Sequence, residues 1–171
     1  LACGFWTGET LLAGCQTRPC RDVLGFEVDR RGVGGLLERA DEAGVGKLKV
    51  STEDADETLA QSAMAPGIDS LEVLFPDPCH KARHHKRRLI QPAFLDMLAG
   101  RMGAGARLRL ATDWADYAEH MLAVCDAHPA FENVNGIGGQ MPTADDRIET
   151  KFERRGLRLG HTIADFDYRR V

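Results

Sequence analysis

Short apolar runs alternate along this chain with stretches whose apolar residues fall at helical spacing. That alternation restricts the fold more than any other feature. Strands joined through helices run parallel, and a parallel sheet must be covered by helices on its faces. Leu1-Ala2-Cys3-Gly4 reads as the end of a buried strand entering a glycine turn. Val23 to Val28 is a second strand, followed by Val33, Leu36, Leu37 and Ala40 at helical spacing. Lys47 to Ser51 is a short strand leading into a weak helix that reaches about Ala63. Leu71 to Phe75 is a strand stopped by Pro76 and Pro78.

Pro92 suits the first turn of a helix carrying Leu95, Leu98 and Met102 on one face, with Gly103 and Gly105 ending it. Arg107 to Thr112 alternates charged and apolar residues, as a strand with one polar face does. Trp114, Tyr117, Ala118, Met121, Leu122 and Cys125 form a single helical stripe. Ala164, Phe166 and Tyr168 alternate with Asp165, Asp167 and Arg169, which predicts a late, antiparallel strand. The sum is a doubly wound α/β fold. Its ligands are expected beyond the carboxyl ends of the strands, where the strand order reverses.

The 171 residues are expected to form one domain. The run Leu1 to Gly4 begins inside a strand, so an N-terminal segment is expected to be missing, and nothing there resembles a signal peptide. No apolar run approaches the ~20 residues that span a bilayer, so no membrane association is expected and the cytoplasm is the expected compartment. The five cysteines are odd in number and irregularly spaced, which predicts reduced thiols rather than a disulfide framework. No metal is expected, because Cys79-His80 is too isolated to nominate zinc. The spacing leaves monomer and homodimer both open. Net charge is −4, yet residues 80 to 91 carry Lys81, Arg83, Lys86, Arg87 and Arg88 without an acid. A basic cluster on an acidic chain marks a local anion site.

Candidate site residues follow the strands. Gly4-Phe5-Trp6-Thr7-Gly8-Glu9 offers a turn at which backbone N–H groups approach a nucleotide-like ligand, with Gly4 and Gly8 as its glycines. Glu27 ends the second strand and suits ribose hydroxyls, and Asp54 follows the third and suits an adenine amino group. Together these outline an adenosine pocket that fits either a nicotinamide cofactor or S-adenosylmethionine. In Phe75-Pro76-Asp77-Pro78 two prolines fix the backbone around one carboxylate beside that pocket. The basic run after it, with Arg83, Lys86, Arg87 and Arg88, would grip phosphates. Asp113 reads plainly as a helix N-cap that also lines the pocket. Thr150 to Gly156 mixes both charges around Phe152 and reads equally as a ligand loop or an exposed helix turn. His161 reads as structural.

Taken together, these segments resemble the bacterial tRNA (guanine-N7)-methyltransferase family. The resemblance rests on Gly25-Phe26-Glu27-Val28 with Gly32-Val33-Gly34, on Phe75-Pro76-Asp77-Pro78 with His80-Lys81 and Arg83 to Pro92, on Ala111-Thr112-Asp113-Trp114 with Tyr117-Ala118-Glu119, and on Thr150-Lys151-Phe152-Glu153 with Gly156 and Leu159-Gly160-His161. It implies a class I methyltransferase fold, S-adenosylmethionine as cofactor, and a guanine in the tRNA variable loop as target. It implies that Glu27 and Asp54 bind cofactor and that Asp77 is the active-site aspartate. Lys81, Asp113, Thr150, Lys151, Phe152 and Glu153 then match substrate-binding positions. Ala2, Trp6 and Cys79 depart from the family pattern, which has Glu, Gly and Trp there. Two rival readings share the fold: a nicotinamide-dependent oxidoreductase, and a non-catalytic RNA-binding relative with a decayed cofactor site.

Overall fold

Among the described residues, seven strands form one sheet in the order β3-β2-β1-β4-β5-β7-β6. The computed structural model describes residues 2–3, 8–17, 22–27, 30–53, 55, 58–59, 67–142 and 149–171. The strands are β1 (Ala2–Cys3), β2 (Val23–Phe26), β3 (Leu48–Ser51), β4 (Ile68–Leu74), β5 (Met102–Thr112), β6 (Phe131–Asn133) and β7 (Ala164–Arg170). The helices are α1 (Glu9–Thr17), α2 (Arg30–Glu42), α3 (Pro92–Ala99), α4 (Ala115–Asp126) and α5 (Lys151–Arg158). A 3-10 helix, Ala82–Arg87, lies between β4 and α3. β1 pairs in parallel with both β2 and β4, so the strand order reverses there. Among the described strands, β7 alone runs antiparallel, between β5 and β6. The doubly wound α/β fold with a late antiparallel strand is therefore the observed one.

The core lies against one face of β4, β5 and β7. Register places Leu71 beside Leu108 and Tyr168, and Val73 beside Leu110 and Phe166, and all six are fully buried. Pro92 opens α3, which needs no N–H at its first position. That helix sends Phe94, Leu95 and Leu98 into the same cluster, and α4 sends Tyr117, Ala118, Met121 and Cys125. Leu122, read as part of that stripe, packs partly buried against it. Burial pushes the Cys125 thiol up to about 12, so it behaves as an apolar core residue.

The opposite face carries charges, several of them buried. Glu72, Arg109 and Asp167 stand side by side on adjacent strands, and Arg109 and Asp167 are buried. Arg107 Nε donates to Asp167 at 2.7 Å. Register sets opposite charges side by side on these neighbouring strands.

Several boundaries differ from the sequence reading. Met102 starts β5 instead of ending α3, which stops at Ala99. Gly103 and Gly105 lie inside the strand, at an irregular stretch where the β4–β5 register shifts between Ile68 and Ser70. Leu37 is exposed while Val33, Leu36 and Ala40 are buried, so the buried face of α2 is narrower than its apolar pattern. Beyond β3, Ala55, Thr58 and Leu59 are helical and the rest of that predicted helix lies outside the described residues.

Candidate functional site

The sheet's carboxyl edge gathers the turn after β4, the β5–α4 junction and α5. Phe75 N donates to Ala111 O at 2.8 Å, so the two strand ends stay paired to the point where the chain turns. The turn then bends sharply. Phe75 and Cys79 both take left-handed backbone (φ 53° and 51°), one on each side of the Pro76-Asp77-Pro78 triplet. Asp77 is exposed, and its Oδ1 accepts from Cys79 N at 2.8 Å, closing an Asx turn. Burial and the Asp77 carboxylate raise the Cys79 thiol above its ordinary value, so this cysteine stays protonated.

Two contacts fix this turn to the rest of the site. The His80 ring stands edge-on to Trp114, with centroids 4.3 Å apart. Below it, Arg88 Nε donates to Pro78 O at 3.0 Å, its Nη2 bonds Asp116, and its guanidinium lies 4.8 Å from the Tyr117 ring centre. The Arg88 hydrogen bond holds the Asp116 carboxyl below the usual carboxylate range. Burial pushes the Tyr117 hydroxyl up to about 12, and that oxygen accepts from Ile90 N at 3.3 Å.

Arg88 therefore corrects the sequence reading, which counted it among the phosphate-gripping cations. Its side chain is 1% exposed and committed to three neighbours, so it cannot reach a polyanion in solution. Lys81, just before the 3-10 helix, and Arg83, Lys86 and Arg87 on it are exposed. A run of like residues does not reveal which one turns inward; the opposing acid, Asp116, lies 28 residues on.

Asp113 is not the N-cap expected of it. Trp114 occupies that position without a side-chain cap, and Thr112 Oγ1 accepts from Trp114 N at 3.2 Å. Asp113 Oδ2 instead bonds His161 Nδ1 at 3.0 Å. Thr150 and Glu153 form a capping box at the start of α5: Thr150 Oγ1 accepts from Glu153 N at 3.1 Å, and Glu153 Oε2 accepts from Thr150 N at 3.3 Å. Thr150 to Glu153 is thus a helix start, with Glu153 buried, Phe152 half-buried and Lys151 exposed.

On the other side of β1, Glu27 follows β2 and is 7% exposed, and its N–H donates to Ser51 O at 3.0 Å. Glu27 thus stands just past the carboxyl end of β2, where the sequence reading puts it. Gly8 is buried at the start of α1 with φ 71°, and a Cβ there would stand 2.5 Å from Leu36. Glycine at this position leaves room for the Leu36 side chain of α2. Gly4 and Asp54 lie outside the described residues, as do Ala2's side chain and Trp6. Sequence reasoning missed the Asp113–His161 pair because its members are 48 residues apart; the only local signal was the Leu159-Gly160-His161 ending of the α5 segment.

Residues 1–166 match a family described as "Putative methyltransferase". The chain is 50% identical over 166 residues to a tRNA (guanine-N(7)-)-methyltransferase of Halorhodospira halophila, covering 97% of this chain and 72% of that one. It is 47% identical over 170 residues to the enzyme of the same name from Alkalilimnicola ehrlichii, covering 99% and 71%. Among solved structures it resembles an N-methyltransferase from Bradyrhizobium japonicum in complex with S-adenosyl-L-homocysteine, with TM-score 0.62, 13% identity, and coverage of 99% of this chain and 76% of that one. That last likeness bears on the fold, which is the class I methyltransferase fold. With identity this high over nearly its whole length, the chain belongs to the tRNA (guanine-N(7)-)-methyltransferase family.

Proposed function

We propose that this chain transfers a methyl group from S-adenosylmethionine to N7 of a guanine in the tRNA variable loop. Asp77 stands at the reacting base, and Lys81, Arg83, Lys86 and Arg87 lie along the RNA backbone. The observation that carries the reading is the continuity of that edge: an Asx turn aims one exposed carboxylate, and four exposed cations follow it within ten residues.

The chemistry asks little of a general base. Guanine N7 presents an exposed lone pair and carries no proton, so the nucleophile exists before the enzyme acts. S-adenosylmethionine, when bound, supplies an electrophilic sulfonium methyl. Glu27 and Asp54 would hold its adenosine part, with the glycine turn of Gly4 and Gly8 beside them. Asp77, ionised, would oppose the positive charge that the guanine ring acquires. Asp113 and the Thr150–Glu153 segment would hold the base. The cations would grip phosphates without reading sequence, leaving selection to tRNA shape and a splayed base.

The cation row makes a measurable prediction. Reversing charge at Arg83, Lys86 and Arg87 should weaken tRNA binding and lower the slope of log K against log salt by about 1 per residue. Filter binding across a salt series measures it, beside a transfer assay with labelled cofactor and unmodified tRNA. An unchanged slope would return these residues to solvent. The nicotinamide alternative is not favoured by the relatives found.

A further inference from the structure

We propose that His161 is a positioning residue for Asp113, and that Gly156 and Gly160 exist to bring the two together. The proposal rests on the functional reading above, in which Asp113 contacts the guanine, and names what aims it.

The geometry begins at the end of α5. Gly160 takes left-handed backbone (φ 79°), its N–H donates to Leu157 O at 3.0 Å, and His161 N donates to Gly156 O at 3.0 Å. This is a Schellman ending, which folds the chain back over the last turn of its helix. It sets His161 directly beside Gly156. A Cβ on Gly156 would lie 2.9 Å from Asp113 Oδ2 and 3.0 Å from Asp113 Cβ. The second distance matters more, because a Cβ follows the backbone and cannot swing away. Residue 156 therefore has no side chain because Asp113 occupies the space.

His161 Nδ1 then meets Asp113 Oδ2 at 3.0 Å. A carboxylate only accepts, so the ring nitrogen carries the proton. With Oδ2 taken by the imidazole, Oδ1 is the oxygen left to accept from a guanine N–H. Trp114 extends the arrangement: its ring stands edge-on to His161 at 6.3 Å and to His80 at 4.3 Å. His161, Trp114 and His80 thus join α5, the β5–α4 junction and the Asp77 turn into one wall.

The test uses steady-state transfer to unmodified tRNA, with cofactor affinity and Tm measured in parallel. His161→Leu should lower kcat/KM for tRNA by about ten- to a hundredfold, with cofactor Kd unchanged. His161→Asn should recover most of the loss, because an amide N–H can occupy the place of Nδ1–H. Gly156→Ala should mimic His161→Leu by displacing Asp113. In an Asp113→Ala background, His161→Leu should cost nothing further, since residues acting through one another are non-additive. Failure of His161→Asn to recover activity, or losses that multiply in the double variant, would overturn the assignment. A wild-type chain that transfers nothing to tRNA overturns the functional reading and this one with it. An active wild type with multiplying losses overturns only the role of His161.

Discussion

Asp77→Asn should lower kcat by about a hundred- to a thousandfold, the scale seen when one preorganised electrostatic group is removed from a reacting centre. The variant keeps the shape of the side chain and an oxygen for the bond from Cys79 N, which stands at 2.8 Å in the native turn. It removes only the charge. tRNA affinity should stay within about threefold, because phosphate contacts supply most of it. Asp77→Ala also loses the acceptor that closes the turn, so transfer should vanish while tRNA still binds. Single-turnover rates with saturating tRNA separate the two effects. Equal rates for wild type and Asp77→Asn would take the carboxylate out of the chemistry.

Arg88→Met should destabilise the fold by about 2–3 kcal/mol, whereas Arg87→Met should change it by less than about 0.5 kcal/mol. The difference is one of burial, since the two residues adjoin and carry the same charge. Arg88 leaves behind an unpaired Pro78 carbonyl and the face of Tyr117. Asp116 is largely exposed and finds water. The Asp116 carboxyl is depressed by its pairing, so its share of stability is present above the ordinary carboxylate range and fades as pH falls through it. Denaturant unfolding at neutral pH compares the two variants. The Arg88 variant should also transfer methyl groups more slowly, because the Pro78 carbonyl it anchors adjoins Asp77. Similar stability for both variants would mean that Arg88 is as dispensable as its neighbour.

The fold was readable where pattern and burial coincide. Leu108 and Leu110 alternate with Arg107 and Arg109, and the two leucines join the buried cluster that α3 and α4 share. Burial does not follow the alternation at Arg109, Asp165 and Asp167, which the sheet also buries. β6 escaped notice because Phe131-Glu132-Asn133 is too short to show a period. Met102 was drawn into the preceding helix because it continues the spacing of Leu95 and Leu98, while strand pairing with Ile68 decides otherwise.

The site was legible to the same degree and for the same reason. Asp77 stood out because its prolines are adjacent in sequence, and Glu27 because strand ends can be counted. The partners of Arg88 and Asp113 are distant in sequence, so no local spacing reports them.

Phe75 and Cys79 hold conformations that side-chain-bearing residues rarely adopt, on the order of 1 kcal/mol of strain each. The chain thus concentrates a deficit in stability in the few residues around one carboxylate. On the role proposed for Asp77, the stiffness of that bend sets how well the carboxylate is aligned with the reacting base. A substitution that slackens it should then lower turnover at temperatures where the sheet behind it is still folded.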